Sequence, residues 1–168
     1  GALCVRCHMV ERAYMVIDWR ADHSLRLPRP DLSAEIGTPN ACTQGGCHDD
    51  RPLGWSVDAT RRWYGQARRP HFGTTFAAAR RGEPGAAAEL ARLVDNVLQP
   101  AIVRASALEL LAGYPDGVGT TALRASLLAD EPLLRVTAVS QLEVADPAER
   151  VARLAPLLAD PVKALRYE

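Results

Sequence analysis

Apolar residues recur at helical spacing along most of this chain, but in two different styles. From Pro84 onward the spacing is regular. Leu90, Leu93, Val94, Val97 and Leu98 follow the i, i+3, i+4, i+7, i+8 stripe of an amphipathic helix. The segment VRASALELL (103–111) is answered by LRVTAVSQL (134–142) and then by LRYE (165–168). Arg104, Arg135 and Arg166 stand 31 residues apart, as do Leu123 and Leu154, Leu127 and Leu158, Leu108 and Val139, and Leu111 and Leu142. Pro100, Pro132 and Pro161 fall near helix starts, where a missing N–H costs nothing. Asp146 with Glu149 forms a capping-box-like pair. A fixed period of paired helices predicts a stack of repeats whose leucines share one core.

Before Pro84 the pattern is broken by turns such as LPRPD and GTPNA. The spacing predicts a short helix from within the first cysteine pair to about Trp19, with Met9, Val10, Ala13, Tyr14 and Ile17 on one face. It predicts two more over Ser56–Tyr64 and Pro70–Arg81, stopped by Gly65 and Gly82. The expected division is therefore residues 1–83, loop-rich, and residues 84–168, helical repeats. The third repeat breaks off just past its leucine without the polar cap that a repeat stack needs, which implies that the natural chain continues.

Composition narrows the function classes. Of the 168 residues, 48% are hydrophobic, and 20 basic side chains balance 20 acidic ones. Residues 1–83 hold 12 arginines against 9 acids, a balance of +3, and residues 84–168 hold 8 basic against 11 acidic residues, a balance of −3. That is too weak a positive excess for a nucleic-acid binder. No apolar run is long enough to cross a membrane. No secretory signal is visible before the first cysteine, so a leader is expected to have been removed or to lie upstream.

The four cysteines form two pairs, and each pair ends in Cys-His: CVRCH (4–8) and CTQGGCH (42–48). The first matches C-x-x-C-H, the attachment signature of c-type haem. Two thiols one helical turn apart add across the two vinyl groups of one porphyrin, and the next residue aims its imidazole at the iron. The second keeps the Cys-His ending but expands the spacer by Gly45 and Gly46, residues suited to looping out. Cys4, Cys7, Cys42 and Cys47 are thus candidate thioether anchors for two haems c, with His8 and His48 as proximal iron ligands. A four-thiolate zinc site and a pair of disulfides remain open as other uses of the same cysteines.

The remaining histidines are His23, in a polar turn, and His71, at the start of a predicted helix. Four histidines for two irons suggest bis-histidine ligation with His23 and His71 as distal ligands. Met9 and Met15 are weaker alternatives, Met15 being expected in an apolar core. Arg61, Arg62, Arg68 and Arg69 could pair with haem propionates, although a solvated basic face explains them as well. Asp49 and Asp50 are expected to face solvent, and nothing beside the histidines suggests acid–base catalysis.

Two resemblances follow from these motifs. Residues 84–168, by their spacing and their Leu/Val-Arg-x-x-Ala pattern, resemble short HEAT-like repeats of bacterial proteins. The C-x4-C-H spacing resembles the variant of some multihaem cytochromes of anaerobic bacteria, and PNACTQGGCHDD followed by WSVDATRRWYG and RRPHF resembles multihaem c-type cytochromes fused to helical repeats, apart from the Gly45–Gly46 expansion. In those proteins the corresponding segment reads C-x-x-C-H before a Trp-Tyr helix. The resemblance implies a mainly α chain, with a loop-rich dihaem module followed by an α-solenoid. It implies export to the periplasm or beyond the cell, and electron transfer to other redox proteins, in single copies or as a homo-oligomer or filament. The alternatives are a fragment of a multihaem oxidoreductase with one five-coordinate catalytic haem, and a zinc-stabilised repeat protein that binds partners.

Overall fold

A computed structural model describes residues 4–44, 46–65, 69–114, 117–142 and 146–168, with Arg12 described by its backbone alone. Gly45 of the expanded spacer and Arg68 of the arginine cluster lie outside the described residues. The chain is mainly helical, with little strand. It divides into two compact units, Gly1–Thr74 and Thr75–Glu168. The division falls earlier than the expected boundary at residue 83. The helix Phe72–Arg80 explains why: Phe76 and Ala79 are buried, and the Tyr114 hydroxyl donates to the Ala79 carbonyl at 2.8 Å, which ties this helix's later turns to the repeats.

The first unit opens with a single helical turn, α1 (Cys4–His8), followed by an antiparallel hairpin of β1 (Glu11–Tyr14) and β2 (Asp18–Ala21). The register pairs Glu11 with Ala21 and Tyr14 with Asp18. The expected helix to Trp19 is therefore wrong beyond His8. Its apolar residues fit a helical stripe, but that stripe has no core to face, and the chain satisfies its backbone groups by pairing with itself. Met15 and Val16 take φ values of 49° and 74° at the tip, and Val16 and Ile17 are each 88% exposed. Met15 is exposed too, not part of a core.

Three helices follow: α2 (Pro30–Ile36), α3 (Ala41–Gln44) and α4 (Leu53–Tyr64). Pro30 starts α2 where its missing N–H is harmless, and Gly37, at φ 74°, ends it by donating its N–H to the Ser33 carbonyl. Helix α2 packs on α4, and α3 touches both α1 and α4. Pro30, Leu32, Ala41, Ser56 and Ala59 are buried there. α5 (Phe72–Arg80) begins one residue after His71.

The second unit contains α6 (Ala86–Asp95), α7 (Ala101–Ala112), α8 (Val118–Ser126), α9 (Pro132–Gln141), α10 (Pro147–Leu154), a 3₁₀ turn over Ala155–Ala159, and α11 (Lys163–Tyr167). From α6 to α9 each helix packs on the next, and α6 packs on α8, α7 on α9, and α9 on α11, while α10 and α11 both pack on the 3₁₀ turn between them. Leu90, Leu108, Leu111 and Leu134 are completely or almost completely buried. Burial of each such side chain contributes about 1.5–3 kcal/mol. Asp146 caps α10 by accepting from the Ala148 N–H. Val97 and Leu98, expected on the α6 stripe, lie beyond the end of that helix and are exposed. The buried pattern also fades along the repeat. Leu127 is buried, whereas Leu158, 31 residues on, is exposed.

The recurring arginines have a structural role that their spacing alone does not reveal. Arg104 donates to the Val94 carbonyl at 2.7 Å. Arg135 donates to the carbonyls of Ala129 and Asp130 at 2.7 and 2.9 Å. Arg166 donates to those of Asp160 and Pro161 at 2.7 and 3.2 Å. Each guanidinium thus reaches back from its own helix to carbonyls just before it, at the point where helix ends leave acceptors without partners.

Candidate functional site

The first Cys-His motif forms the whole of α1. One turn places Cys4 and Cys7 three residues apart, on neighbouring positions of one face. Both thiols are free and exposed. The His8 ring is partly buried, and its Nδ1 lies 3.0 Å from the Arg26 carbonyl. A carbonyl can only accept, so Nδ1 carries the proton and Nε2 keeps its lone pair. That is the tautomer in which a histidine ligates a metal while a backbone acceptor fixes its orientation.

Cys7 and His8 line a cavity of about 650 Å³. The same wall includes His71, with Phe72 and Gly73 beside it, and the side chains of Arg26, Arg29 and Arg69. The first motif therefore faces one of the two remaining histidines across a space in the size range of small-molecule sites. A second cavity of about 320 Å³ shares Arg29, Leu32, Arg69 and His71 with the first, so His71 borders both. The His71 ring stacks on Phe72 with centroids 4.2 Å apart. Its Nδ1 accepts the Gly73 N–H at 3.0 Å. Burial, and then the nearby Arg29 and Arg26, lower its pKa, which favours the neutral ring; Asp31 acts weakly the other way.

The second motif is held by a residue that the motif search passed over. Asn40 is buried and makes four hydrogen bonds around α3. Its Oδ1 accepts the Cys42 N–H at 3.2 Å, and its backbone N–H donates to the Gln44 side chain at 2.8 Å. Its Nδ2 donates to Thr43 at 3.1 Å and to the buried Ser56 hydroxyl of α4 at 2.9 Å. The only sequence signal was an Asn directly before a short helix, a capping position. Past the spacer, Gly46 donates to the Asp49 carboxylate at 3.0 Å, and the exposed His48 ring packs on Trp55 with centroids 4.5 Å apart. Asp49 thus closes the loop, although it is exposed as expected.

The two motifs lie close together, since α1 touches α3. The Cys42 thiol is raised in pKa by burial first and then by the neighbouring Cys7 and Cys47. His23 stands apart from the cavity. It is exposed, and its Nδ1–H donates to the Ala21 carbonyl at 2.8 Å. Among the described residues, no group of three or more His, Cys, Asp or Glu side chains is arranged to hold a metal ion by itself. No described helix is long and apolar enough to cross a membrane.

Comparison with protein-family models, curated proteins and solved structures returned no match. The functional reading therefore rests on the chain's own residues.

Proposed function

We propose that this chain is an electron-transfer module that carries two covalently bound c-type haems in its first unit, followed in sequence by a scaffold of helical repeats. The observation that carries this reading is the cavity between the first motif and His71. Its wall combines the free Cys7 thiol, with Cys4 one turn before it in α1, an imidazole already in the ligating tautomer, a second imidazole, and three arginines. Cys4, Cys7 and His8 would hold one haem, and Cys42, Cys47 and His48 the other. Haem supplies one-electron redox chemistry whose potential depends on its axial ligands and surroundings. The polypeptide supplies thioether anchors, an orienting carbonyl behind His8, and guanidinium groups for the propionates. Two imidazoles per iron leave no position for a substrate, which suits relay to other redox proteins better than catalysis. Covalent haem attachment implies an exported protein, periplasmic or extracellular.

For the second unit, the 31-residue arginine period and the stacking of alternate helices support an α-solenoid of HEAT-like pairs. This half has no cysteine, histidine or methionine and so offers no usual axial ligand.

One observation favours a second reading. α1 touches α3, so cysteines of the two motifs approach one another, although among the described residues no three of them are grouped as a structural zinc needs. A single experiment separates the two. Intact mass with a pyridine haemochrome assay should show two covalent haems per chain. A mass equal to the polypeptide plus zinc would exclude the relay.

A further inference from the structure

We infer that His71, and not His23, is the sixth ligand of the haem carried by Cys4, Cys7 and His8, and that Gly73 is the positioning residue that lets its ring turn toward the iron. This rests on the dihaem reading above. It assigns the axial pair, which the histidine count alone does not do.

Two features point to this pairing, and a third shows what it would require of the ring. The first is placement. His8 and His71 line one cavity, whereas His23 lies outside it, on the polar turn after β2. The second is charge. The cavity wall carries three guanidinium groups, Arg26, Arg29 and Arg69, and one carboxylate, Asp22. With Arg29 neutralised by Asp31, Arg26 and Arg69 less Asp22 leave a net positive charge of one, of the sign that suits the two propionates of a single haem. Of the three, Arg29 already pairs with Asp31 outside the cavity wall, at 2.7 Å, so Arg26 and Arg69 are the freer partners.

The third feature is the hydrogen bond behind the ring. With Nδ1 accepting from Gly73, the neutral ring carries its proton on Nε2. To hold an iron through Nε2, the His71 ring would carry its proton on Nδ1, and the Gly73 N–H would lose its acceptor. The ring must then shift, and residue 73 decides whether it can. A Cβ there would stand 2.9 Å from Nδ1 and 3.3 Å from the Ile36 Cδ1. Glycine leaves that space open.

The test uses the full-length chain with Cys42→Ala and Cys47→Ala, so that only the first haem is attached. His71→Ala should turn that haem high-spin and five-coordinate and let the ferrous form bind carbon monoxide. His23→Ala should leave it low-spin and closed. His71→Met guards against a fold lost with the imidazole; it should restore six-coordination and raise the potential, since methionine raises it relative to histidine. Gly73→Ala keeps the ligand but should shift the electron paramagnetic g-values of the same low-spin iron. The pairing is overturned if His71→Ala leaves the haem low-spin, if His23→Ala opens it, or if it binds carbon monoxide with both histidines in place. In each of those cases covalent haem is still present, so the relay survives while the pairing fails. A chain without covalent haem would instead sink the relay and the pairing together.

Discussion

The two units hold themselves together by different means. Residues 75–168 bury leucines to completion, at Leu90, Leu108 and Leu111, and use a recurring arginine to satisfy the carbonyls between helices. Residues 1–74 bury little of comparable size. Their order depends on polar ties: Asn40 to Ser56, His8 to the Arg26 carbonyl, and Arg29 to Asp31. Meanwhile Tyr14, Trp19, Leu27, Trp63 and Tyr64 stay exposed in the first unit. A unit that buries few large apolar side chains is poorly placed to offset its chain entropy. A large covalently attached apolar cofactor would supply the missing core, as the dihaem proposal requires. The second unit needs no such help.

The strongest way to break this contrast is to open the leucine core. Leu108→Ala should cost about 2–5 kcal/mol, because the side chain has no solvent exposure and the cavity cannot collapse fully. Thermal unfolding of the second unit should move down accordingly, while the haem absorbance and potentials stay unchanged. A shift in either potential would show that the units are not energetically separate. Leu142→Ala, at the equivalent of Leu111 in the next repeat, should cost less, because Leu142 is only half-buried.

Gly119→Ala tests the close approach of α8 to α7. A Cβ at residue 119 would stand 2.3 Å from the Leu111 carbonyl oxygen, a backbone atom that cannot swing aside. Overpacking of this kind costs about 1–3 kcal/mol, and more when backbone must move. Calorimetry should show a lower transition for the repeats and an unchanged one for the first unit. An unaltered repeat transition would mean that α8 and α7 separate easily.

Within the first unit, Asn40→Ala sharpens the contrast from the other side. It leaves the Cys42 N–H without its partner and takes one donor from the buried Ser56 hydroxyl, which keeps its bond to the Leu53 carbonyl, a loss of about 1–3 kcal/mol. The expected outcome is faster hydrogen exchange at Ala41–Gln44 and less haem on the second motif, with full occupancy of the first. Equal loss at both motifs would show that α3 and α1 are ordered as one.

The helical character of the second unit was readable because burial of apolar side chains at helical spacing sets most of its structure. Helices near the predicted places, the Asp146 cap and the buried Leu108 and Leu111 all follow from it. It misleads where the helices stop, as at Val97 and Leu98. In the first unit the same rule failed. The stripe from Met9 to Ile17 has the spacing of a helical face, yet it forms a hairpin whose apolar residues Met15, Val16 and Ile17 stay exposed. α2 and α3 were hidden by their prolines and short length. Of the candidate ligands, Cys7, His8 and His71 come together in one wall, while His23 does not, a pairing set by tertiary placement that spacing alone cannot carry. Asn40 was missed because its role is a polar network spread over four residues.

The smallest effect at neutral pH, and the finest test of the comparison, comes from the least exposed arginine–aspartate pair of each unit, Arg29–Asp31 and Arg135–Asp160. The Asp31 carboxyl is held below the usual carboxylate pKa, chiefly by its hydrogen bonds from Arg29, and Asp160 likewise by Arg135 and then by the Val162 N–H. A carboxyl whose folded pKa is depressed binds fewer protons in the folded state than in the unfolded one. Its contribution is therefore complete above the unfolded value of about 3.9 and is lost as pH falls through and below it. Both units should weaken in that acid window, and Asp31→Asn or Asp160→Asn should flatten the acid limb of its own unit only. Salt should then tell the pairs apart. The side chains of Arg135 and Asp160 are 12% and 9% exposed, against 22% and 32% for Arg29 and Asp31. Added salt screens exposed charges more than buried ones. At about 1 M salt the acid limb of the first unit should flatten more than that of the second, as followed by haem absorbance for one and far-ultraviolet dichroism for the other. An equal response would mean that the repeats, too, are held by charges within reach of solvent, and the contrast between an apolar scaffold and a polar-tied module would lose its electrostatic half.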